Sequence, residues 1–163
     1  GRLAADLRAA ADCEARLFSS CPVDDWRDFL DEIETLDRAT QIRRVHRYMN
    51  EHPYVLDRVN WGVPDYWATP PEFLNHDGDC EDYVIAKYVS LKRLGVRPEQ
   101  MRVVVVFDEN VGEKHAVLAL SAGGAGGGFL ILDNQVDEVM PSRQVRHYRP
   151  IYSINEQSVW SHL

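Results

Sequence analysis

One cysteine in this chain stands where covalent chemistry is favoured, at the predicted start of a helix. Cys80 lies in the run NHDGDCEDY, residues 75–83, which opens a long segment of helically spaced apolar residues. The first turn of a helix can hold a cysteine as the thiolate that attacks carbonyl carbons. The acids of this run oppose a thiolate by their negative charge; they are Asp77, Asp79, Glu81 and Asp82. A nucleophilic Cys80 therefore requires something that offsets this field.

A base for this cysteine is predicted on a strand further along the chain. The base must accept the thiol proton, and a partner on its other nitrogen must orient it. His115 begins the run HAVL, and Asp133 follows the run LIL. If these runs pair as antiparallel strands, one register places Leu118 opposite Leu130 and His115 opposite Asp133, about 5 Å apart. The sequence therefore favours a Cys80–His115–Asp133 triad, although a strand-end histidine or a turn aspartate would each be ordinary alone.

The other histidines have weaker support as functional groups. His46 and His52 are predicted to be solvated, and a loop position is the simplest account of His76. A zinc site formed by His76 with the three triad residues is disfavoured, because no close pair of ligands has zinc-like spacing. The sequence indicates no partner for His147 or His162.

Helices are predicted for the first third of the chain. Apolar periodicity indicates a helix over residues 1–20. A second helix begins at Pro22, and Thr40 is predicted to cap a third helix that Pro53 closes. The apolar stripe of the second helix is predicted to pack in the core and comprises Trp26, Phe29, Leu30, Ile33 and Leu36.

The segment 54–76 differs in composition from the helices before it. Its run NWGVPDYWATPP, residues 60–71, is rich in aromatic residues, proline and glycine, which predicts an ordered loop. Ordered loops of this kind often line functional sites. An equally good interpretation is that the aromatic side chains pin the loop onto the core.

The remaining elements predict an α+β fold. Asp79 is a good N-cap with Asp82 three residues on, and Gly95 marks the end of the helix that begins at Cys80. Four strands are predicted, and the glycine-rich run 123–128 joins the second and third as a hairpin rather than a phosphate loop. Helices followed by strands indicate helices against an antiparallel sheet. The predicted strands cover residues 101–107, 114–120, 129–132 and 150–154.

Composition limits the classes of function. The chain of 163 residues suits one domain, predicted over 1–163 with a helical N-terminal region (1–53) and a catalytic core (54–163). A net charge of −8 argues against nucleic acid or an anionic membrane as partner and suits binding of a cation. No apolar run approaches the roughly 20 residues of a membrane helix. A Cys13–Cys21 disulfide is disfavoured if both residues lie on one continuous helix.

The motifs around the predicted triad resemble a known family. The blocks NWGVPDYWATP (60–70), GDCEDY (78–83), HAVL (115–118) and LDN (132–134) are similar to those of the bacterial transglutaminase-like cysteine proteinases, especially their periplasmic LapG group. The likeness runs from about residue 54 to the YSIN segment, 152–155. The N-terminal helices match only in their helical character.

This resemblance implies an activity, a cofactor and partners. It implies a papain/transglutaminase-like fold and peptide hydrolysis by Cys80, His115 and Asp133. The implied substrate is the N-terminal region of a large surface adhesin, cut beside a pair of alanines to release a biofilm-holding protein. It further implies a calcium requirement, an inner-membrane cyclic-di-GMP receptor that sequesters the protease, and a periplasmic location. The signal peptide such a location needs is expected to be missing from a chain that begins GRL.

The acids beside Cys80 then acquire a second interpretation. Asp79, Glu81 and Asp82 carry the hard oxygen ligands that calcium prefers, with help expected from the loop 60–66. Without the resemblance, complementing the helix dipole would be the better account of these acids. A bound cation would also offset the negative field around the thiol.

Substrate contacts and competing functions follow from the same arrangement. The Cys80 N–H is expected to hold the oxyanion, with Asn60 or Trp61 as second donor, and Trp61 and Tyr66 are expected to wall a narrow groove. The same triad would serve an amidase or acyltransferase. A non-catalytic module that binds a partner through the aromatic loop is a further alternative.

Overall fold

The computed structural model describes residues 21–123 and 127–162, so the helix predicted over 1–20 lies outside the described residues. Within these described ranges, five α-helices precede six β-strands. The helices are α1 (Pro22–Ile33), α2 (Arg38–Asn50), α3 (Asp57–Asn60), α4 (Pro70–His76) and α5 (Cys80–Arg93). The strands are β1 (Met101–Asp108), β2 (Glu113–Ser121), β3 (Phe129–Leu132), β4 (Met140–Pro141), β5 (Tyr148–Ile154) and β6 (Val159–Ser161).

The first two described helices differ from the prediction at their ends. α1 ends at Ile33, so Leu36 lies beyond it with 38% of its surface exposed and does not extend the buried stripe. The cap of α2 is Asp37, whose carboxylate accepts the Thr40 backbone N–H at 3.0 Å and its hydroxyl at 2.6 Å. The prediction that Thr40 caps this helix is therefore wrong, because Thr40 donates to the cap instead. Cys21, just before α1, takes part in a disulfide, and Cys13 lies outside the described residues.

Two short helices overlap the two ends of the loop predicted over residues 60–71. α3 and α4 lie within residues 54–76. α4 begins with two prolines, whose fixed φ suits the first helical positions. Glu72 accepts the Thr69 backbone N–H at 2.8 Å and the Thr69 hydroxyl at 2.9 Å, which fixes the start of this helix. Pro70 and Pro71 thus begin a helix rather than extend a loop.

The helix α5 begins and ends as its sequence predicts. Cys80 is its first residue, and the Asp82 carboxylate accepts the Asp79 backbone N–H at 3.2 Å. At the other end Gly95 has a φ of +84°, a conformation that glycine adopts without steric cost. The inward face of α5 is fully buried at Leu91 and packs with α2, α4 and β2.

The sheet has the strand order β4-β3-β2-β1-β5-β6, and every neighbouring pair is antiparallel. The sequence predicts the four longer strands, although β5 starts two residues earlier than expected. It misses β4 and β6, which have only two and three residues and therefore no readable alternation. Helices against an antiparallel sheet confirm the predicted α+β class.

The pairing of β2 with β3 differs from the predicted register by two residues. Leu118 pairs with Leu132, not with Leu130. A slip of two residues keeps every side chain on the same face of the sheet, because the side-chain period of a strand is two. His115 and Asp133 therefore stay on one face and meet as diagonal rather than directly opposite neighbours.

The two faces of the sheet have separate apolar clusters. The helices cover one face, where the main core includes Met101, Leu118, Leu120 and Leu132. The opposite face carries a smaller cluster of Val106, Val117, Ala119 and Ile131. No helix among the described residues is long and apolar enough to cross a membrane. The division into a helical region (1–53) and a catalytic core (54–163) stays a prediction.

Truncating a core side chain where the helices pack on the sheet should lower the stability of the protein. Leu118 is fully buried in the main cluster, so Leu118→Ala is expected to lower the free energy of unfolding by about 2–5 kcal/mol, through lost burial and a residual cavity. Val159→Ala is the matched control, because Val159 is 73% exposed and its truncation should cost less than about 0.5 kcal/mol. Urea denaturation measures both, and equal losses would contradict this description of the core.

Candidate active site and metal site

Cys80 lies at the start of α5 on the wall of a cavity of about 220 Å³. His115, Trp67 and Tyr152 line the same cavity. Among the described residues, Cys80 is the free cysteine, and its thiol donates a hydrogen bond to Glu81 Oε2 at 3.2 Å. Burial raises the pKa of this thiol strongly and the Glu81 carboxylate raises it further, while the backbone of Ala116 opposes them. The thiol is therefore protonated in this arrangement.

His115 and Asp133 form a buried pair at the edge of this cavity. The imidazole Nε2 lies 2.8 Å from Asp133 Oδ1, and the side chains are 5% and 2% exposed. Burial alone would raise the pKa of Asp133, but the hydrogen bond and charge of His115 lower it overall, with help from Gln135 and Tyr148. An ionised Asp133 accepts a hydrogen bond from Nε2–H of His115, which leaves Nδ1 as the ring nitrogen that can take up or release a proton.

The three residues of the predicted triad are thus brought to one place. Cys80 and His115 line a common cavity, and His115 is bonded to Asp133. Within the described residues the thiol makes one side-chain hydrogen bond, and its acceptor is Glu81 rather than His115. The arrangement has the composition and order of a cysteine, its base and an orienting acid.

Tyr148 also forms a hydrogen bond with the Asp133 carboxylate. Its hydroxyl donates to Asp133 Oδ2 at 2.5 Å, and the Gln135 backbone N–H donates to Oδ1 at 2.9 Å. Tyr148 begins β5, which is separated from β3 by two strands in the sheet. Sequence reasoning missed it because the contact depends on strand order, and an aromatic residue at a strand start gives no functional signal.

The residues expected to contact substrate are placed away from the Cys80 cavity. Asn60 donates its amide to the carbonyls of His76 and Asp77, at 3.0 and 3.2 Å, which ties α3 to the turn before α5. Trp61 packs against Tyr66, with 4.7 Å between ring centroids. The residues of this segment that line the cavity are Asp65 and Trp67.

A cluster of carboxylates lies beside the start of α5. Asp57, Asp79 and Asp82 are 1%, 9% and 0% exposed, and one oxygen from each lies within 4.8 Å of the others. Burial raises the pKa of Asp79 to about 8, with Glu81 and Asp57 adding to the effect, and burial raises the pKa of Asp82 to about 7. One oxygen each of Asp57 and Asp79 is buried with no hydrogen-bond partner.

This donor set fits a hard divalent cation. Buried acidic oxygens without donors are costly, and calcium binds through several such oxygens. Glu81 belongs to a neighbouring group with Asp57 and Asp65. Asp57 is absent from the ligands predicted from sequence, Asp79, Glu81 and Asp82, because it lies 22 residues before Asp79 and outside the loop from which help was expected, residues 60–66. Asp65 is the acid within residues 60–66 that could supply the further metal ligand expected there, and Asp57 is an additional buried candidate ligand.

Asp82 links this cluster to the aromatic segment. Its Oδ1 accepts the Ala68 backbone N–H at 2.7 Å, and its other oxygen accepts the N–H of Asp79. Gly78 allows this position, since a Cβ there would lie 2.2 Å from Asp82 Oδ2. The close approach of backbone and carboxylate therefore requires glycine at residue 78.

A family model supports what the site geometry indicates. The model for the bacterial transglutaminase-like cysteine proteinases matches residues 11–163. The chain belongs to this family. The α+β fold and the resemblance predicted from the DCEDY and HAVL motifs are thereby confirmed, and the family is one of cysteine proteases.

Solved structures agree with this assignment. LapG of Legionella pneumophila superposes with a TM-score of 0.78 at 27% identity, covering 86% of this chain and 78% of that one. Its EGTA-treated form gives 0.78 at 26%, covering 87% and 76%. Its calcium-bound form gives 0.81 at 24%, covering 95% and 86%, which shows the fold. A comparison with curated proteins gave no match.

Removing the tyrosine hydroxyl tests the role of Asp133. In Tyr148→Phe the Asp133 carboxylate loses one donor, so it orients His115 less well, and the rate of Cys80 alkylation should fall about tenfold. Tyr88→Phe is the control, because its hydroxyl contacts Glu156 at 3.4 Å, away from the cavity residues. Mass spectrometry of the Cys80 peptide gives the rates, and an unchanged rate for Tyr148→Phe would show that Tyr148 does not influence the site.

Adding one methyl group beside Asp82 should disturb the acidic cluster. Gly78→Ala forces the Asp82 carboxylate to move and should cost about 1–3 kcal/mol of stability, as overpacking commonly does. Gly62→Ala is the comparison for strain without a clash: Gly62 has a φ of +69° and no atom within 4 Å of the added carbon, so its cost of about 1 kcal/mol should leave the acidic cluster undisturbed. Thermal unfolding checks both, and a neutral Gly78→Ala would contradict the close approach.

Proposed function

We propose that the protein is a calcium-dependent cysteine endopeptidase that acts through Cys80, His115 and Asp133. The single observation that carries this proposal is the buried His115–Asp133 pair at the cavity that Cys80 lines. Membership of a cysteine protease family supports the same reaction class. A chain that only bound a partner would have no need of a base, an orienting acid and a helix-start thiol in one place.

The reaction follows from the positions of these groups. His115 takes the Cys80 thiol proton at Nδ1 while Nε2 remains bonded to Asp133. The sulfur attacks the carbonyl carbon of the peptide, and the developing oxyanion faces the N–H of Cys80 at the start of α5. The imidazolium then protonates the amine as the C–N bond breaks. Water, deprotonated by His115, hydrolyses the thioester and restores the thiol.

The acidic cluster supplies a site for calcium. Asp57, Asp79, Glu81 and Asp82 would hold the ion, and it would supply positive charge that offsets the carboxylates around Cys80. The unpartnered oxygens of Asp57 and Asp79 support this assignment. Legionella LapG also has a calcium-bound form among the matched structures. In the structure Glu81 accepts the thiol hydrogen bond; with the ion bound it would serve as a ligand, which leaves the thiol proton to His115.

The likeness to LapG extends the proposal to a substrate and a cellular location. We propose the N-terminal region of a large surface adhesin as substrate, cut beside a pair of alanines in the periplasm to release a biofilm-holding protein. A cavity of about 220 Å³ walled by Trp67 and Tyr152 suits small side chains such as alanine. An inner-membrane receptor for cyclic-di-GMP would sequester the protease, and pull-down of its periplasmic domain by the purified protein tests this partner.

Cleavage of an adhesin N-terminal fragment tests the nucleophile and the metal together. Wild type should cut beside the alanine pair with calcium and lose activity in excess EGTA. Cys80→Ala should retain less than about a thousandth of the rate, because the nucleophile is gone. Asp82→Asn should require more calcium for half-maximal cleavage, whereas Asp31→Asn on the exposed face of α1 should not.

The same assay distinguishes the alternatives. Full wild-type activity in EGTA, with no bound metal, would refute the calcium requirement. Cleavage by Cys80→Ala would refute the nucleophile. Incorporation of an added amine into the product in preference to water would identify an acyltransferase instead.

A further inference from the structure

Asp77 has a backbone conformation that is unusual for any residue other than glycine. Its φ is +61° and its ψ is −170°, and no other non-glycine residue within 21–123 and 127–162 has a positive φ. A side chain with a Cβ is crowded in this region, so the conformation costs free energy. Residues held in this way persist only where surrounding contacts fix them, and they are common at functional sites. Asp77 lies three residues before Cys80, in the turn between α4 and α5.

The side chain of Asp77 is tied to the segment that follows α2. His52 Nδ1 lies 3.2 Å from Asp77 Oδ1, and the two side chains are 20% and 31% exposed. The His52 ring packs against Phe73 of α4, with 5.0 Å between ring centroids. The His52 carbonyl accepts the hydroxyl of Tyr83, in the first turn of α5. His52 therefore contacts the turn and both of the helices that the turn joins.

These contacts correct the prediction made for two histidines. His52 is half-buried with defined partners, so the prediction that it is solvated is wrong. The same prediction is wrong for His46, which is 1% exposed and whose Nε2 lies 2.8 Å from the Val136 carbonyl. His46 thus contacts the chain after β3, and of the two histidines it is His52 that contacts the turn before α5.

The backbone on both sides of Asp77 is held as well. The Asp77 N–H donates to the Phe73 carbonyl at 2.7 Å, which closes α4. The Asp77 carbonyl accepts the Asn60 side-chain amide at 3.2 Å. The next carbonyl, that of Gly78, accepts the Val55 backbone N–H at 2.9 Å. The turn is therefore fixed from three directions just before the chain enters α5.

The turn itself does not require an acid at this position. Glycine would adopt the same conformation without the steric cost. A partly exposed pair such as His52–Asp77 contributes little to stability, so the pair alone gives no strong reason to keep a strained residue. The side chain of Asp77 must therefore supply something that glycine cannot, and what it supplies in the structure is the tether to His52.

We propose that Asp77 is a positioning residue for catalysis, whose tether to His52 fixes the turn before α5 and thereby the position of Cys80. The thiol must meet His115, which is held separately on β2. A misplacement of about 1 Å between reacting groups can lower a rate about 100-fold, so a small movement of this turn would matter. The inference rests on the proposed triad.

Asp77→Gly removes the tether and leaves a residue that adopts the backbone conformation freely. The variant should fold with a Tm within about 3 °C of wild type, because the relief of strain offsets the lost contact. The rate of Cys80 alkylation and the kcat for cleavage of the adhesin fragment should each fall about tenfold, with KM nearly unchanged. Both rates are measured at saturating calcium, so that weaker metal binding does not account for the loss.

Three further variants show whether the tether is the cause. Asp77→Asn should keep both rates within about twofold of wild type, since asparagine tolerates a positive φ and its Oδ1 can accept from His52. His52→Phe keeps a ring against Phe73 but loses the nitrogen, so it should be slowed about as much as Asp77→Gly. Glu32→Ala is the matched control, because it breaks an exposed pair with Arg44 at 2.9 Å and should change neither rate.

Each outcome bears on the inference. Slow, folded Asp77→Gly and His52→Phe variants support it, and their double variant should be no slower than either one because both remove the same contact. Wild-type rates in either folded variant, with wild-type alkylation that depends on His115, would overturn the role of Asp77 alone. An Asp77→Asn variant as slow as Asp77→Gly would also overturn it. Wild-type alkylation no faster than that of His115→Ala would overturn the proposed triad and the Asp77 inference together.

Discussion

The hydrogen bonds accepted by Asp82 join the two segments of the chain that make the site. Its carboxylate is fully buried and accepts backbone N–H groups from Ala68, in the aromatic segment, and from Asp79, at the start of α5. These bonds fix the start of α5, where Cys80 lies, against the aromatic segment. The same segment holds Asp57, whose carboxylate accepts the Tyr66 backbone N–H. The arrangement buries three carboxyl groups together, and a cation bound among them would offset their negative charge.

The sheet places the other half of the site by geometry that spans several strands. His115 on β2, Asp133 after β3 and Tyr148 on β5 converge at one end of the sheet. The contact between the last two crosses two intervening strands, so it depends on the twist and order of the whole sheet rather than on local pairing. The strands thus hold His115, the proposed base, on one side of the cavity, and α5 brings the Cys80 thiol to the other.

The sequence was informative where local rules decide structure. The start of α5 at Cys80 is predicted correctly from the capping residues. The contact of His115 with Asp133 is also predicted correctly although the register is wrong, because a slip of two residues keeps both side chains on the same face of the sheet. The predicted end of α1 and the predicted cap of α2 are wrong, because Leu36 fits a helical period beyond the last turn and Thr40 is a residue type that often caps helices. Asp57 and the buried state of His46 were not accessible from sequence, because both depend on tertiary contacts between distant segments.

The edges of the sheet have a consequence for how the protein meets extended chains. β4 and β6, the outermost strands among the described residues, are two and three residues long. They leave little unpaired backbone with which another chain could form a ladder. Under the proposed endopeptidase function, these short edges disfavour the addition of substrate strands, or of strands from other copies of the chain, to the sheet. Under the same proposal, recognition of the peptide is left to the cavity that Cys80 of α5 and His115 of β2 line.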